Sequence, residues 1–122
     1  MTPQHFALSA TTDFFDSYRD ALLARDVDRI AEAYHCPALI AFPGNAIAVT
    51  SPQQTQDFFR RAIDQYAGVE AVTSTIELLA ATEHSIWADV TWSYGGVPPD
   101  ERMVYQLLAT GDGWRIGVLT PM

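Results

Sequence analysis

The second half of the chain repeats apolar and polar residues with a period of two, which is the pattern of half-buried β-strands. The repeat is clearest over residues 86–94 and returns at 72–80, 103–109 and 114–120. The turn sequence TGDG at 110–113 favours a tight hairpin between the last two runs. We therefore predict a meander of long antiparallel strands with one apolar face, which other elements have to cover.

The first half of the chain contains the helices that can cover such a sheet. Thr11 or Thr12 can cap a first helix, and residues 1–10, which show no clear period, are expected to form a flexible tail or a short turn. Asp26 is expected to cap a short second helix, which Pro37 cannot continue. The apolar face of the first helix carries Phe14, Phe15, Tyr18, Ala21 and Leu22.

A third helix has the best-marked start in the sequence. Ser51 is its expected N-cap, Pro52 takes the first helical position, and Gln54 completes a capping box. Before this helix, residues 38–42 and 46–50 are short apolar runs on either side of a Pro-Gly-Asn turn. They predict a small hairpin.

The charge balance of the chain argues against two classes of partner. Fifteen acidic residues stand against seven basic ones, all of them Arg, and the formal net charge is −8. A nucleic-acid backbone or an anionic membrane surface would be repelled, so we expect no nucleic acid and no membrane among the partners. No apolar run is long enough for a membrane span.

Cysteine content and the N-terminal sequence bear on the compartment. The single cysteine, Cys36, cannot form an internal disulfide, which is typical of a reducing environment. The first residues, MTPQHFALSATT, lack the basic start, the apolar run and the cleavage site of a signal peptide. Both features predict a cytoplasmic location. Because the chain has 122 residues and shows no repeat or linker, we predict a single domain over residues 1–122.

The order of these elements resembles the nuclear-transport-factor-2-like (NTF2-like) superfamily, in particular its SnoaL-like and ketosteroid-isomerase-like members. The likeness is carried by SYRDALLARDVDRIAEAY at 17–34, ALIAFP at 38–43, the helix from Ser51 and TGDGWRI at 110–116. It implies an α+β cone in which a curved mixed or antiparallel sheet packs against three helices from the N-terminal half and encloses an apolar pocket. It also implies a homodimer formed through the sheet.

The resemblance does not extend to the chemistry of the ketosteroid isomerases. In those enzymes a first-helix tyrosine and a late-strand aspartate hold an oxyanion, and an aspartate at the end of the first strand moves the proton. Tyr18 matches the tyrosine, within a Tyr-x-x-Ala-Leu pattern. Phe42, however, stands where the proton-moving base is expected, and no carboxylate lies near Tyr105 or Gln106. Isomerase chemistry of this kind is therefore not expected.

Three ionisable residues lie within apolar segments, where burial can shift a pKa towards neutrality. His35 follows the second helix and either acts as a base near the cavity or bonds a nearby carbonyl. Asp89 lies on the strand face opposite Trp92, which favours a dimer contact or a solvated side. Tyr18 either donates a hydrogen bond to a ligand oxygen or is a core tyrosine. In an enzyme, Tyr18 and His35 are the candidate catalytic residues.

Patterns for metals and cofactors are incomplete or missing. Glu32 and His35 form only half of a di-metal helix pattern, and the chain has a single cysteine. Neither a glycine-rich phosphate loop nor a dinucleotide fingerprint is present. We expect no metal and no cofactor.

Aromatic residues from several elements are expected to converge on the pocket. Such a set suits a small apolar or aromatic ligand held by few hydrogen bonds. Two functions stay open: cofactor-free isomerase, cyclase or dehydratase chemistry on a small metabolite, and non-catalytic binding of a small molecule or a protein. The candidate ligand contacts are Phe14, Tyr18, Tyr34, Phe42, Phe58, Trp92, Tyr94 and Tyr105.

Overall fold

The computed structural model describes residues 3–96 and 98–122, and its helices lie mostly in the first half of this range. They are α1 Pro3–Leu23, α2 Val27–Glu32 and α3 Pro52–Ala62, followed directly by a 3₁₀ helix at Ile63–Tyr66. Within the described residues, no helix combines the length and the hydropathy needed to cross a membrane.

Helix α1 begins earlier than the sequence predicts. It starts at Pro3, so residues 3–10 are helical where a tail or turn was expected, while residues 1–2 lie outside the described residues. Thr11 is not a cap but a buried residue inside the helix, and its Oγ1 donates to the carbonyl of Ala7 at 2.6 Å. A hydroxyl satisfied in this way can stay within a helix.

The predicted starts of α2 and α3 are confirmed. Asp26 caps α2, and its Oδ1 accepts a hydrogen bond from the backbone N–H of Arg29 at 3.2 Å. At α3, Oε1 of Gln54 accepts from the backbone N–H of Ser51 at 3.1 Å, and Pro52 takes the first position. These side chains satisfy backbone donors that a helix end leaves without partners.

The strands form one mixed sheet in the order β2-β1-β6-β5-β4-β3. Only β1 and β6 pair in parallel; the other neighbours are antiparallel. Register shifts within the β3–β4 and β5–β6 pairs mark irregularities of the kind that bend a sheet. The strands are β1 Tyr34–Phe42, β2 Asn45–Val49, β3 Thr73–Ala81, β4 Ser85–Ser93, β5 Glu101–Thr110 and β6 Gly113–Pro121.

The two predicted faces of β4 are confirmed, and its inner face packs against α1. On β6 the prediction is wrong after the register shift, because Leu119 faces the cavity in place of Val118. On β4, Ile86, Ala88 and Val90 are fully buried and Trp92 is 2% exposed. Phe15 of α1 contacts Trp92 edge to face, with ring centroids 6.1 Å apart. The chain is thus an α+β fold in which a curved six-stranded sheet carries three helices on its concave side.

Candidate functional site

A cavity of about 540 Å³ lies between the helices and the concave face of the sheet. Its walls come from α1, α3, the 3₁₀ helix and strands β1, β2, β4, β5 and β6. Four exposed residues, Arg25, Asn45, Arg61 and Gln65, are among the lining and mark its opening. Apart from these four and Glu101, the lining residues are apolar or aromatic.

Six of the eight predicted ligand contacts line this cavity. Of the other two, Phe14 stacks on Tyr18 with ring centroids 6.2 Å apart, and it borders a smaller surface pocket beside Trp114. Tyr34 does not line the cavity but contacts two residues that do, Tyr18 and Phe59. The six lining residues are Tyr18, Phe42, Phe58, Trp92, Tyr94 and Tyr105.

The hydroxyls of Tyr18 and Tyr34 are 2.7 Å apart and share a hydrogen bond. Both side chains are buried, and burial is the main reason that their pKa values lie well above the usual value. Both phenols are therefore neutral near pH 7. When Tyr34 donates to Tyr18, the proton of Tyr18 is free to point at a group in the cavity.

A second polar pair lies beside this one. Nε1 of Trp92 donates to the hydroxyl of Tyr105 at 3.0 Å, and that hydroxyl lies 3.6 Å from the sulfur of Met103. Burial raises the pKa of Tyr105, so its hydroxyl is neutral as well. The rings of Tyr18 and Tyr105 have centroids 6.3 Å apart. This part of the cavity is thus an aromatic cluster whose polar atoms are paired with one another.

A third polar cluster is built around Glu101, the first residue of β5. Its Oε1 accepts hydrogen bonds from the hydroxyl of Tyr66 at 2.5 Å and from that of Tyr94 at 2.7 Å. The pKa values of both tyrosines are raised, first by burial and then by the hydrogen bond to the carboxyl group. Both phenols stay protonated and act as donors. Glu101 is the only carboxylate among the described residues that line the cavity.

Sequence reasoning missed Glu101 and Tyr66 as site residues. The apolar repeat is clear only from residue 103, which leaves residues 101–102 without an assignment. Strand β5 starts two residues earlier, at Glu101, and Glu101, Met103 and Tyr105 all face the cavity. Extending the period of two backwards from Met103 was the signal that could have found the carboxylate.

His35 does not contribute to the cavity, so its predicted position as a base there is wrong. Strand β1 begins at Tyr34, not at residue 38, and successive side chains of a strand point to opposite faces. Tyr34 therefore points inward and His35 does not. Nδ1 of His35 lies 2.8 Å from the carbonyl oxygen of Pro37, which is the alternative that the sequence left open.

Asp89 lies on the outer face of the sheet, on the side predicted for it. Its side chain is only 8% exposed and pairs with the guanidinium of Arg102, with Nε 3.0 Å from both carboxylate oxygens. These hydrogen bonds hold the pKa of Asp89 below its usual value. Within the described part of the chain, no group of three or more His, Cys, Asp or Glu side chains is placed to hold a metal ion.

Residues 9–122 match the model of a family described as "NTF2-like protein (DUF6841)". The chain belongs to this NTF2-like family. No curated protein sequence matches the chain.

Solved structures with the NTF2-like fold superpose closely. An NTF2-like protein of unknown function from Shewanella oneidensis MR-1 has a TM-score of 0.76 and 12% identity, over 94% of this chain and 98% of that one. A provisionally assigned dehydratase of the NTF2-like family from Streptomyces avermitilis has a TM-score of 0.72 and 12% identity, over 99% of both chains. A provisionally assigned aromatic ring hydroxylase from Novosphingobium aromaticivorans has a TM-score of 0.70 and 16% identity, over 99% of this chain and 90% of that one. At these identities the likeness shows the fold alone.

The NTF2-like cavity of this chain differs from an isomerase site at the expected base position. Phe42 lines the cavity and packs against Phe58, with ring centroids 5.5 Å apart. A phenyl ring cannot take a proton. Two of the groups at the cavity wall that can donate or accept a proton are the hydroxyl of Tyr18 and the carboxylate of Glu101.

Proposed function

We propose that the protein binds a small hydrophobic or aromatic molecule in this cavity. The observation that carries the proposal is the cavity itself, with a volume of about 540 Å³ and walls of apolar and aromatic side chains. Ligand pockets typically measure roughly 300–1,000 Å³ and combine apolar walls with a few polar groups. A protein-interaction module without ligand would favour a filled interior, so the open cavity supports the small-molecule function.

A second candidate function is cofactor-free proton chemistry on the same ligand, such as isomerisation, cyclisation or dehydration. It is favoured by the carboxylate of Glu101 and the phenol of Tyr18, which line one cavity as an acceptor of a proton and a donor to a developing oxyanion. His35 has no part in this proposal. Exchange of the acidic protons of 2-tetralone into deuterated water, faster than in protein-free buffer and lost in Glu101→Gln, supports it. Exchange at the buffer rate contradicts it for this class of ketone.

Thermal stabilisation by a panel of terpenoid, steroid and aromatic polyketide compounds tests the binding function. The variant Ala62→Phe places a ring into the cavity wall, while Ala48→Phe adds the same ring at an exposed position outside it. We expect compounds that raise the melting temperature of the wild type and of Ala48→Phe but not of Ala62→Phe. A panel without any hit, or hits that stabilise Ala62→Phe equally, contradicts the proposal.

A further inference from the structure

We propose that the carboxylate of Glu101 is the polar anchor of the cavity and selects ligands whose polar end is a hydrogen-bond donor, an ammonium or a hydroxyl group on an apolar body. This inference rests on the proposed binding function and adds a ligand class to it. It is carried by the hydrogen bonds around Glu101 and by the position of this residue on β5.

One oxygen of the carboxylate is left for a ligand. Oε1 accepts both tyrosine hydroxyls, whereas Oε2 accepts no hydrogen bond from the residues that the structure describes. No cationic side chain of these residues lies within ion-pair distance of Glu101 either. A carboxylate offers about four acceptor positions, so a donor group on a ligand finds a free acceptor at the cavity wall.

The two tyrosines fix the direction of this acceptor. Tyr66 comes from the 3₁₀ helix and Tyr94 follows β4, so Glu101 is held from two elements. The rings of Tyr66 and Tyr94 lie 5.2 Å apart and supply an apolar and π-rich surface next to the charge. An ammonium group is attracted by both the carboxylate and such rings.

The anchor and the aromatic cluster of Tyr18 and Tyr105 occupy different positions along the wall of the one cavity. The Cα atoms of Glu101 and Tyr105 are four residues apart on one strand face, which corresponds to roughly 13 Å along β5 at about 3.3 Å per residue. A ligand that reaches both has an elongated apolar body with a donor at one end. An acceptor at its other end meets the hydroxyl of Tyr18.

Two arginines at the opening of the cavity would favour the opposite class of ligand, an anionic one. Arg25 and Arg61 line the cavity but are exposed, and Arg25 donates to the backbone carbonyl of Tyr66 at 3.2 Å. If they governed selection, a carboxylate ligand would bind best. The carboxylate of Glu101 and the net charge of −8 both oppose an anionic ligand.

The test uses 1-naphthylmethylamine, 1-naphthylmethanol and 1-naphthoic acid, which share one apolar body and differ in the polar end. Titration calorimetry gives Kd for the wild type, for Glu101→Gln and for Glu83→Gln, in which an exposed turn residue outside the cavity changes in the same way. We expect the amine and the alcohol to bind the wild type more tightly than the acid. In Glu101→Gln an amide N–H₂ can replace Oε2, and the amine should lose about tenfold or more in affinity.

Each outcome of these titrations either supports or contradicts the role of Glu101 as the anchor. An affinity of the amine that is unchanged in Glu101→Gln overturns the role of Glu101 but leaves the binding function standing. If none of the three probes binds the wild type and the compound panel also gives no hit, both proposals fall; if only the panel binds, the inference alone falls. Should Glu101→Gln not fold, the wild-type order decides, because tighter binding of the acid than of the amine contradicts the inference.

Discussion

The hydroxyl of Tyr94 and Oε1 of Glu101 lie 2.7 Å apart, across the connection between β4 and β5. Tyr66 reaches the same oxygen from the 3₁₀ helix at 2.5 Å. This single carboxylate therefore joins the helical wall of the cavity to the sheet. These two hydrogen bonds need protonated phenols as donors, so they are lost when the phenols ionise at alkaline pH.

All five tyrosines of the chain, Tyr18, Tyr34, Tyr66, Tyr94 and Tyr105, have raised pKa values in the folded protein, in each case mainly because they are buried. Unfolded tyrosines ionise near a pH of about 10, so the folded state binds more protons above that pH. The contribution of these tyrosines to the stability of the folded state is fully present below a pH of about 10, and it is lost as the pH rises further.

The ultraviolet absorbance of tyrosinate checks this pH dependence. We expect no tyrosinate signal from the native protein near a pH of about 10, followed by a signal that rises together with unfolding, as followed by circular dichroism. Phenols that ionise in a folded protein at their ordinary pKa would contradict the burial of these side chains.

Replacing Tyr18 or Tyr34 by Phe leaves the other hydroxyl without its partner. Each single variant should lose about 1–3 kcal/mol of unfolding free energy, because an unpaired buried hydroxyl carries a desolvation cost. The double variant removes both hydroxyls and should lose less than the sum of the two single variants. Urea unfolding measures all four proteins, and additive losses would show that the two hydroxyls do not interact.

The ion pair of Asp89 and Arg102 predicts a stability effect at acidic pH. Because the folded pKa of Asp89 is lowered, its contribution is complete above the unfolded pKa of about 3.9 and is lost as the pH falls through the folded value. Asp89→Asn should therefore have a lower urea midpoint than the wild type at neutral pH. The difference should shrink below a pH of about 4, and a constant difference contradicts the pairing.

The outer face of the sheet leads us to propose a homodimer. This face carries Trp87 next to the Asp89–Arg102 pair, and the Arg102 side chain is 57% exposed in the single chain. Sedimentation velocity is expected to show a dimer for the wild type and a monomer for Trp87→Glu. Leu8→Glu, which changes an exposed apolar residue on α1, is the matched control and should stay dimeric. A wild-type protein that sediments as a monomer would contradict the proposed homodimer.

Periodicity predicted the long strands because their buried positions carry large apolar residues, as at Ile86, Val90 and Trp92. The first turns of α1 gave no such signal. Among residues 6–11 the buried positions are Ala7 and Thr11, which are small or polar, so the helical period does not show in the sequence there. Capping residues, in contrast, act locally, and the starts of α2 and α3 could be read directly.

The candidate site was harder to predict because it depends on where two strands begin. A start of β1 at Tyr34 turns His35 away from the cavity, and a start of β5 at Glu101 turns a carboxylate into it. Strand ends are set by tertiary pairing, which local sequence does not specify. The aromatic walls were predictable, since Tyr18, Phe42 and Trp92 follow from the apolar faces of their elements.

The most direct test of the cavity as a ligand site uses the methyl groups of methionine. Met103 lines the cavity and is 9% exposed, whereas Met122 is 69% exposed and lies outside it. With ¹³C-methyl-labelled methionine and 1-naphthylmethanol as the probe, we predict nuclear Overhauser contacts from the naphthyl protons to the methyl group of Met103. Contacts to Met122 alone, or saturable binding that leaves the Met103 methyl signal unchanged, would contradict a ligand in this cavity.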